Sequence, residues 1–305
     1  MSYVINVAIV SCSNALKSAV FGLEEMFLLA NRMTNDLGND VVFQPKIISQ
    51  TELASSRFHV IILPPSVNVP SEEQQTAIGS SLRQQYQSGA VITAACAGVF
   101  LLAASGLAGN REVTTHWALA EIFKRQFPTT KLNTNKIVIN HQDVMTAGGM
   151  MSWVDLGFEI IAKYTSSQVV RQLGKTLVVD TAPRKQSFYQ QFVPDKSHGD
   201  EAILNIQQYI NLRYHEPLEV RALAQYANMT ERTMQRRFLK ATGYSPNQYL
   251  QRLRIQKVCE LLESTQSAFE SIVYQVGYTD ISACRKVFIK VMGLTPREFR
   301  QRFSK

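Results

Sequence analysis

A stretch of fourteen residues near the C-terminal end of the chain occurs twice. Residues 236–249, RRFLKATGYSPNQY, align without a gap on residues 286–299, KVFIKVMGLTPREF, at an offset of 50. The identical pairs are Phe238/Phe288, Lys240/Lys290, Gly243/Gly293 and Pro246/Pro296, and Ser245/Thr295 and Tyr249/Phe299 are close substitutions. The offset defines a repeated unit of about 50 residues, and two copies of it are too few for a solenoid, which needs at least three repeats. The length fits a helix-turn-helix module, so the sequence predicts two such modules.

The first copy has the pattern of a helix that enters the major groove of DNA. Thr230 is a candidate N-cap, and Met234 and Phe238 lie four residues apart on the face expected to point inward. The opposite face carries Arg and Gln, which form bidentate hydrogen bonds with guanine and adenine. The residues predicted to contact DNA from this helix, 230–240, are Thr230, Arg232, Gln235, Arg236 and Lys240.

The second copy repeats this arrangement over residues 280–290, with Asp280 as candidate N-cap and Cys284 and Phe288 pointing inward. Its predicted DNA-contacting residues are Ser282, Arg285 and Lys286. A solvated basic face is the alternative for any single Arg or Lys, but outward basic positions recur in both copies. The uninterrupted helical stretch 247–264 between the copies would hold both reading helices at a fixed separation, so that they enter successive major-groove segments roughly 34 Å apart.

The distribution of charge agrees with a polyanionic partner for the last third of the chain. Residues 200–305 contain 16 Lys and Arg against 10 Asp and Glu, a net charge of +6 out of +8 for the whole chain. Double-stranded DNA is the partner that such a basic helical region favours.

The first part of the chain alternates strands with helices. Strands are predicted at 4–11, 41–49, 58–65 and 91–93, a hairpin at 136–149, and helices at 20–33, at 71–88 with Ser71 as N-cap, and over about 151–178. Such alternation predicts an α/β fold with a parallel, flavodoxin-like sheet and helices on both faces. We therefore expect an α/β domain over 1–180, a linker over 181–199 and an all-α domain over 200–305.

Several classes of protein are disfavoured by the sequence. There is no apolar run of 18 residues, so no membrane span is expected. The N-terminus reads as a first strand and not as a signal peptide. The four cysteines, Cys12, Cys96, Cys259 and Cys284, have no CxxC spacing, which argues against structural zinc and disulfides. A cytoplasmic chain without metal or cofactor is the expectation.

Two resemblances follow from longer motifs. Residues 200–305, with GYTDISACRKVFIKVMGLTPREFR, resemble the DNA-binding domain of the AraC/XylS family, which implies seven helices, two helix-turn-helix units and transcriptional regulation. Two departures from that pattern are Cys284, where an aromatic residue is common, and Lys286, where Arg is common. Residues 1–180 resemble the PfpI/ThiJ-like, class I glutamine amidotransferase-like domain through FGLEEMF, AACAGVFLLAASGLAGNREVTTHW and TAGGMMSWVDLGFEII.

The combination of these domains implies a regulator that senses a small molecule, with amino acids and amines as the implied effector class. The resemblance places the ligand pocket at Cys96, Glu25, His116, Ala97 and Gly98. We expect further partners to be a second copy of the chain, giving a homodimer, and RNA polymerase. The effector, the operator and the sign of regulation are not given by the sequence.

Whether the first domain is an enzyme depends on the residues around Cys96. VITAACAGVFLLAASG, residues 91–106, reads as a strand that ends at Cys96 and continues as a helix, the position of a nucleophile in α/β hydrolases. A thiol nucleophile needs a base, and the residue after the cysteine, usually His in active members of the fold, is Ala97. We therefore expect a degenerate site with no catalytic residue. A buried packing residue, a Cys-dependent hydrolase or glyoxalase-like enzyme and a Cys96 redox sensor remain the alternatives.

Overall fold

The computed structural model describes residues 3–12, 14–181 and 184–304. These residues divide into two compact units, Met1–Gln186 and Ser187–Lys305. The strands of the first unit are β1 (Tyr3–Ser11), β2 (Val41–Ser49), β3 (Val60–Leu63), β4 (Val91–Ala95), β5 (Glu112–Val113), β6 (Lys131–Leu132), β7 (Val138–Asn140) and β8 (Val144–Ala147).

Six of these strands form one sheet in the order β2-β1-β3-β4-β8-β7. All neighbours in it are parallel except β7 and β8, which form the predicted antiparallel hairpin. Strands β5 and β6 pair separately. The helices of this unit are α1 (Lys17–Asp36), α2 (Glu72–Gln87), α3 (Gly98–Ala104), α4 (Ala120–Gln126), α5 (Trp153–Tyr164) and α6 (Ser167–Leu177).

Side chains alternate between the two faces of the sheet, and each face is covered by helices. In β1, Ile5, Val7 and Ile9 belong to the core formed with α1, α5 and α6, whereas Ala8 and Val10 belong to the core formed with α2, α3 and α4. The predicted flavodoxin-like architecture with helices on both faces is confirmed.

Several predicted elements have different bounds in the structure. The helix predicted at 20–33 spans Lys17–Asp36, and the strand predicted at 91–93 extends to Ala95. The strand predicted at 58–65 is confined to Val60–Leu63, and the helical stretch 151–178 is divided into α5 and α6. The division occurs because Thr165 has extended backbone angles and Ser166 caps α6 by accepting a hydrogen bond from the Val169 N–H. Hydrophobic periodicity does not distinguish a capping serine from a serine within a helix, so the sequence pattern did not predict this break.

The second unit contains seven helices within the described residues, as the resemblance implies. They are α7 (Glu201–Arg213), α8 (Val220–Tyr226), α9 (Glu231–Thr242), α10 (Pro246–Ser264), α11 (Phe269–Gln275), α12 (Ile281–Met292) and α13 (Pro296–Phe303). One core joins α7, α8 and α9 to the first half of α10, through Leu250 and Leu253. The other joins α11, α12 and α13 to the second half of α10, through Val258 and Leu262. The long helix thus belongs to both modules.

The sequence repeat encodes the C-terminal ends of α9 and α12 and the start of the helix that follows each of them. Gly243 and Gly293 end α9 and α12 with φ of 75° and 74°, in the left-handed region that favours glycine. Ser245 and Thr295 then form capping boxes with Gln248 and Glu298, each followed by proline at the first helical turn.

The segment for which the sequence predicts a linker, 181–199, divides between the two units, and residues 182 and 183 lie outside the described residues. Lys185 forms a bridge to Lys136 in the first unit. In the second unit, the Phe192 N–H donates to Gln256 Oε1 at 3.0 Å and the Phe192 ring packs edge-on against Tyr249.

Candidate functional site

Cys96 occupies a sharp turn between β4 and α3, at the carboxyl edge of the parallel sheet. Its φ of 53° lies in the left-handed region, where a residue with a side chain is strained by on the order of 1–3 kcal/mol. The Cys96 N–H donates to the Ala147 carbonyl at 2.7 Å, and the Cys96 carbonyl accepts from Thr115 Oγ1 at 2.6 Å. The backbone on both sides of the strained residue is therefore held, by the end of β8 on one side and by the segment after β5 on the other.

Gly98 permits the close approach of α3 to the end of β3. A Cβ at this position would lie 2.5 Å from the Leu63 carbonyl oxygen and 2.7 Å from that of Pro64. Both atoms belong to the backbone, so they cannot rotate away. Glycine at 98 is thus required by the turn that presents Cys96, and Ala97 occupies the buried N-cap position before it.

The thiol of Cys96 is in a setting that keeps it protonated. The side chain is only 3% exposed. Burial raises the pKa of the Cys96 thiol from 9.0 to about 11, and a hydrogen bond from the Ala97 N–H only partly opposes this shift. Because the thiolate is the nucleophile, this shift disfavours the reactive form of Cys96 at neutral pH.

His116 lies near the turn but is engaged in local structure. Its Nδ1 accepts the Ala118 N–H at 3.1 Å, and its ring packs against Trp117 at 5.3 Å between centroids. In the neutral ring the proton then resides on Nε2, so neither nitrogen offers a free lone pair. Burial lowers the pKa of His116, which keeps the ring neutral.

Glu25 is not brought to the Cys96 thiol. It lies on the exposed side of α1, whose buried face carries Val20, Leu23, Met26 and Phe27 toward the sheet. Within the part of the chain that the structure describes, Glu25 forms no hydrogen bond or ion pair. The pKa of Cys96 is raised by burial and lowered by the hydrogen bond from the Ala97 N–H, and no acidic neighbour contributes to its shift.

A small cavity lies beside this turn, at the carboxyl ends of β1 and β3. Its volume is about 20 Å³, which is room for one or two water molecules. It is lined by Cys12, Asn14, Ala15, Pro64, Ser66, Asn68, Pro70, Gln74, Gly98 and Leu101. Of the residues predicted for the pocket, Gly98 is in this lining. The other nine lining residues were not predicted from the sequence. The rule that ligands bind beyond the carboxyl ends of parallel strands could have indicated them, because most lie in the loops after β1 and β3.

In the second unit, α9 presents the predicted polar face to solvent. Arg232, Gln235, Arg236 and Lys240 are exposed, whereas Met234 and Phe238 are buried. Thr230 is occupied as the N-cap, since its Oγ1 accepts the Thr233 N–H at 3.3 Å. The face opposite the core is therefore free for a partner.

The neighbouring Arg237 fixes α9 to the start of α7. Its guanidinium donates to both carboxylate oxygens of Asp200 at 2.7 and 3.0 Å. The pair lowers the pKa of Asp200. Asp200 is also the N-cap of α7, so one carboxylate holds two helices of the first module.

The exposed face of α12 carries Ser282, Arg285 and Lys286 at the positions predicted. Arg285 differs from the others because its guanidinium lies 3.6 Å from the carboxylate of Glu270 and over the ring of Phe269. Asp280 caps the helix by accepting the Ser282 N–H at 2.8 Å. The exposed face of α12 therefore presents fewer unpaired cationic groups than that of α9.

Neither a metal site nor a membrane-spanning helix is found in the parts of the chain that the structure covers. No three His, Cys, Asp or Glu side chains converge there as metal ligands. No helix built from those residues is both long and apolar enough to cross a bilayer.

Two family models match the chain. The model of the DJ-1/PfpI family matches residues 6–163, just over half of the chain. A helix-turn-helix domain model matches residues 223–302, which include α9 and α12.

Curated relatives share both regions at low identity. The HTH-type transcriptional regulator ArgR of Pseudomonas aeruginosa is 27% identical over 227 residues, which is 73% of this chain and 68% of ArgR. The HTH-type transcriptional regulator GlxA of Rhizobium meliloti is 24% identical over 232 residues, covering 74% of this chain and 70% of GlxA.

A solved structure from Vibrio parahaemolyticus, described as a transcriptional regulator, has a TM-score of 0.51 at 16% identity. It covers 57% of this chain and 100% of that chain. This likeness concerns the fold alone.

Proposed function

The chain belongs to the DJ-1/PfpI family and carries an AraC-type helix-turn-helix domain; on this basis we propose that it is a transcriptional regulator that binds double-stranded DNA and responds to a small molecule. The observation that carries the proposal is the pair of reading helices, α9 and α12. Each begins at a polar N-cap, ends at a left-handed glycine, buries side chains four residues apart and carries an outward stripe of polar and basic side chains. Arg and Gln on such a stripe are the side chains that read purines in the major groove.

The DNA-contacting residues of the proposal are Thr230, Arg232, Gln235, Arg236, Lys240, Ser282, Arg285 and Lys286. Thr230 contributes through its N-cap, in which its hydroxyl accepts the Thr233 N–H and orders the end of α9 that would approach the DNA. Arg232, Gln235 and Arg236 stand unpaired on the N-terminal half of α9, the part of a recognition helix that reaches base edges.

The effector site is proposed at the carboxyl edge of the sheet, around Cys96, Ala97, Gly98 and His116, and it includes the cavity beside Gly98. A cavity of about 20 Å³ is too small for an amino acid or amine, so effector binding must widen it. Movement of the loops after β1 and β3 would provide that space. Amino acids and amines are the effector class proposed from the resemblance.

The first unit acts as a sensor without turnover in this proposal. Ala97 supplies no base, the lone pair of His116 Nδ1 already accepts the Ala118 N–H, and burial favours the protonated thiol of Cys96 at neutral pH. The same protonation disfavours redox sensing through Cys96, because the thiolate is the form that oxidises. Homodimer formation, contact with RNA polymerase and a cytoplasmic location belong to the proposal as properties of such a regulator.

DNA binding is tested with the full chain and a fluorescent duplex from the region upstream of its own gene. We expect tighter binding to this duplex than to a scrambled duplex of the same composition. The logarithm of the binding constant should fall linearly with the logarithm of the salt concentration. Equal affinity for both duplexes would contradict sequence-specific regulation.

The sensor is tested by a thermal-shift screen of amino acids and amines on the full chain. A ligand at 100 times its dissociation constant should stabilise the first unit by about 2.7 kcal/mol. A panel of hydrolase and glyoxalase substrates, with Cys96→Ala as the control, tests the alternative. Turnover that disappears in the variant would establish an enzyme.

A further inference from the structure

Gln186 is a buried polar residue at the end of the first unit, and its whole side-chain amide is engaged. The residue is 3% exposed. Its Oε1 accepts the Trp117 N–H at 2.6 Å, and its Nε2 donates to the Thr115 carbonyl at 3.0 Å and to the Lys136 carbonyl at 3.3 Å. Its backbone N–H donates to the Asn135 carbonyl at 2.9 Å. We refer to Gln186 with these four partners as the Gln186 anchor.

The Gln186 anchor is linked by hydrogen bonds to the turn that holds Cys96. Thr115 accepts from Gln186 through its carbonyl and donates through Oγ1 to the Cys96 carbonyl at 2.6 Å. Thr115 is fully buried, so water does not compete for either bond. A displacement of the Cys96 turn thus acts directly on the backbone that holds Gln186.

A second connection runs through the end of β8. The Cys96 N–H donates to the Ala147 carbonyl, and the next residue, Gly148, lies against the Gln186 amide. A Cβ on Gly148 would overlap Gln186 Nε2 and lie 2.6 Å from the Thr115 carbonyl oxygen. Both sides of the Cys96 turn therefore meet at the same glutamine.

The position of Gln186 in the chain gives these contacts their importance. The next residue, Ser187, begins the unit that carries α9 and α12. Within that unit, the Phe188 ring lies under the guanidinium of Arg302 on α13. A change in how Gln186 is held is thus passed along the covalent chain to the second helix-turn-helix module.

We propose that the Gln186 anchor couples the effector site at the Cys96 turn to the DNA-binding unit. The inference rests on the proposed function and adds how its two sites communicate. An effector that shifts the Cys96 turn alters the hydrogen bond between Thr115 and the Cys96 carbonyl. It thereby changes how firmly Gln186 is held. Gln186 is a positioning residue in this scheme and touches neither effector nor DNA.

Hydrogen–deuterium exchange of the full chain tests the coupling without any effector. Thr115→Val removes the hydroxyl that holds the Cys96 carbonyl, and we expect exchange in the peptide 186–190 to accelerate by roughly two- to thirtyfold. Thr76→Val is the control for the loss of a hydroxyl hydrogen bond alone, because the exposed Thr76 hydroxyl also donates to a backbone carbonyl, that of Glu72 in α2. Thr115→Ser retains the hydroxyl and should restore the wild-type rate. Equal exchange in Thr115→Val and Thr76→Val would overturn the inference.

Binding of the promoter duplex supplies the second readout. Gln186→Met keeps the length of the side chain and removes its hydrogen bonds, and we expect the affinity for DNA to change by about two- to thirtyfold. Gln85→Met is the control, since Gln85 is equally buried and donates to the Leu53 and Ser56 carbonyls far from Cys96. The effects of Gln186→Met and Thr115→Val should be non-additive, whereas those of Gln85→Met and Thr115→Val should add.

The outcomes separate this inference from the proposed function. If the wild-type chain does not prefer its promoter duplex, the proposed function fails. If it does prefer that duplex but Gln186→Met binds it as Gln85→Met does, the coupling fails and the regulator remains. Should Gln186→Met not fold, Gly148→Ala is used instead, because its methyl group displaces the Gln186 amide without substituting Gln186. We expect the same roughly two- to thirtyfold change in affinity for DNA from Gly148→Ala.

Discussion

The guanidinium of Arg285 lies 3.6 Å from the carboxylate of Glu270 and 5.4 Å from the centre of the Phe269 ring. The structurally equivalent positions of the first module hold Gln235, 50 residues earlier on α9, and Arg221, 49 residues earlier on α8, which cannot form such an ion pair. The two modules therefore share one backbone plan but differ in the side chains that are free to contact bases.

Arg236→Ala should weaken binding to the specific duplex by about 1–3 kcal/mol and relax the preference at one base position. Arg236 is exposed and unpaired on α9, where it can form a bidentate contact to guanine. Fluorescence anisotropy with duplexes substituted at each position measures both effects. Arg171→Ala, which removes an exposed Arg from the first unit, is the control. Unchanged affinity and base preference in Arg236→Ala would contradict the assignment of α9 to the major groove.

The first module should dominate specificity. Arg285 is held by Glu270, and Ser282 and Lys286 offer single contacts in place of the bidentate contacts of Gln235 and Arg236. Lys286→Ala and Arg285→Ala should therefore each lose less affinity than Arg236→Ala. Footprints of the three variants on both half-sites measure this order. Equal losses in all three would contradict it.

Glu270→Gln should increase the affinity for DNA by releasing Arg285. The freed guanidinium gains a phosphate or base contact, so the slope of the logarithm of affinity against that of salt should steepen by about 1. Glu260→Gln is the matched control, because it removes the same charge from a pair with Lys257 on α10. If both variants change the slope equally, the effect is one of net charge alone.

The elements that local chemistry specifies were predicted from the sequence. Ser71, Thr230 and Asp280 cap the helices they were expected to cap, and the hairpin of β7 and β8 forms where its turn was read. Caps and turns depend on residues three or four positions apart, which one sequence displays directly.

The contacts that escaped prediction join residues far apart in the chain. The pair of Arg285 with Glu270 depends on how α11 packs against α12, and no periodicity encodes that geometry. Gln186 lies in a segment read as a linker, and its partners are 50 to 71 positions away. Glu25 could be assigned to α1 but not to a side of it relative to Cys96, because a shift of one residue rotates a side chain by about 100°.

The free energy of unfolding of the first unit should fall between pH 9 and pH 11. Burial raises the pKa of Cys96 from 9.0 to about 11, so the unfolded chain loses the thiol proton first as the pH rises. The loss begins at pH 9 and levels off near pH 11, at no more than about 2–3 kcal/mol.

Denaturant titrations at pH 8 and pH 10.5 measure this loss, which should be smaller in Cys96→Ala. Cys284→Ala is the control in the other unit, where burial likewise raises the pKa of the thiol to about 11. It should reduce the pH dependence of the second unit and leave that of the first unchanged. The same pH dependence in Cys96→Ala and wild type would mean that the thiol is accessible to water.

Gly98→Ala should destabilise the first unit by about 1–3 kcal/mol, because the new methyl group meets the backbone carbonyls of Leu63 and Pro64. Gly79→Ala, in the buried part of α2, is the control. There the nearest atoms to an added Cβ are Arg83 Nη1 at 3.4 Å and Ser105 Cα at 3.8 Å, so the methyl group fits. Alanine favours the helix by about 1 kcal/mol, and Gly79→Ala should therefore stabilise the unit. Denaturant unfolding of both variants decides the point. A Gly98→Ala protein as stable as wild type would show that α3 can move away from β3, which would widen the cavity beside Gly98 in addition to the proposed movement of the loops after β1 and β3.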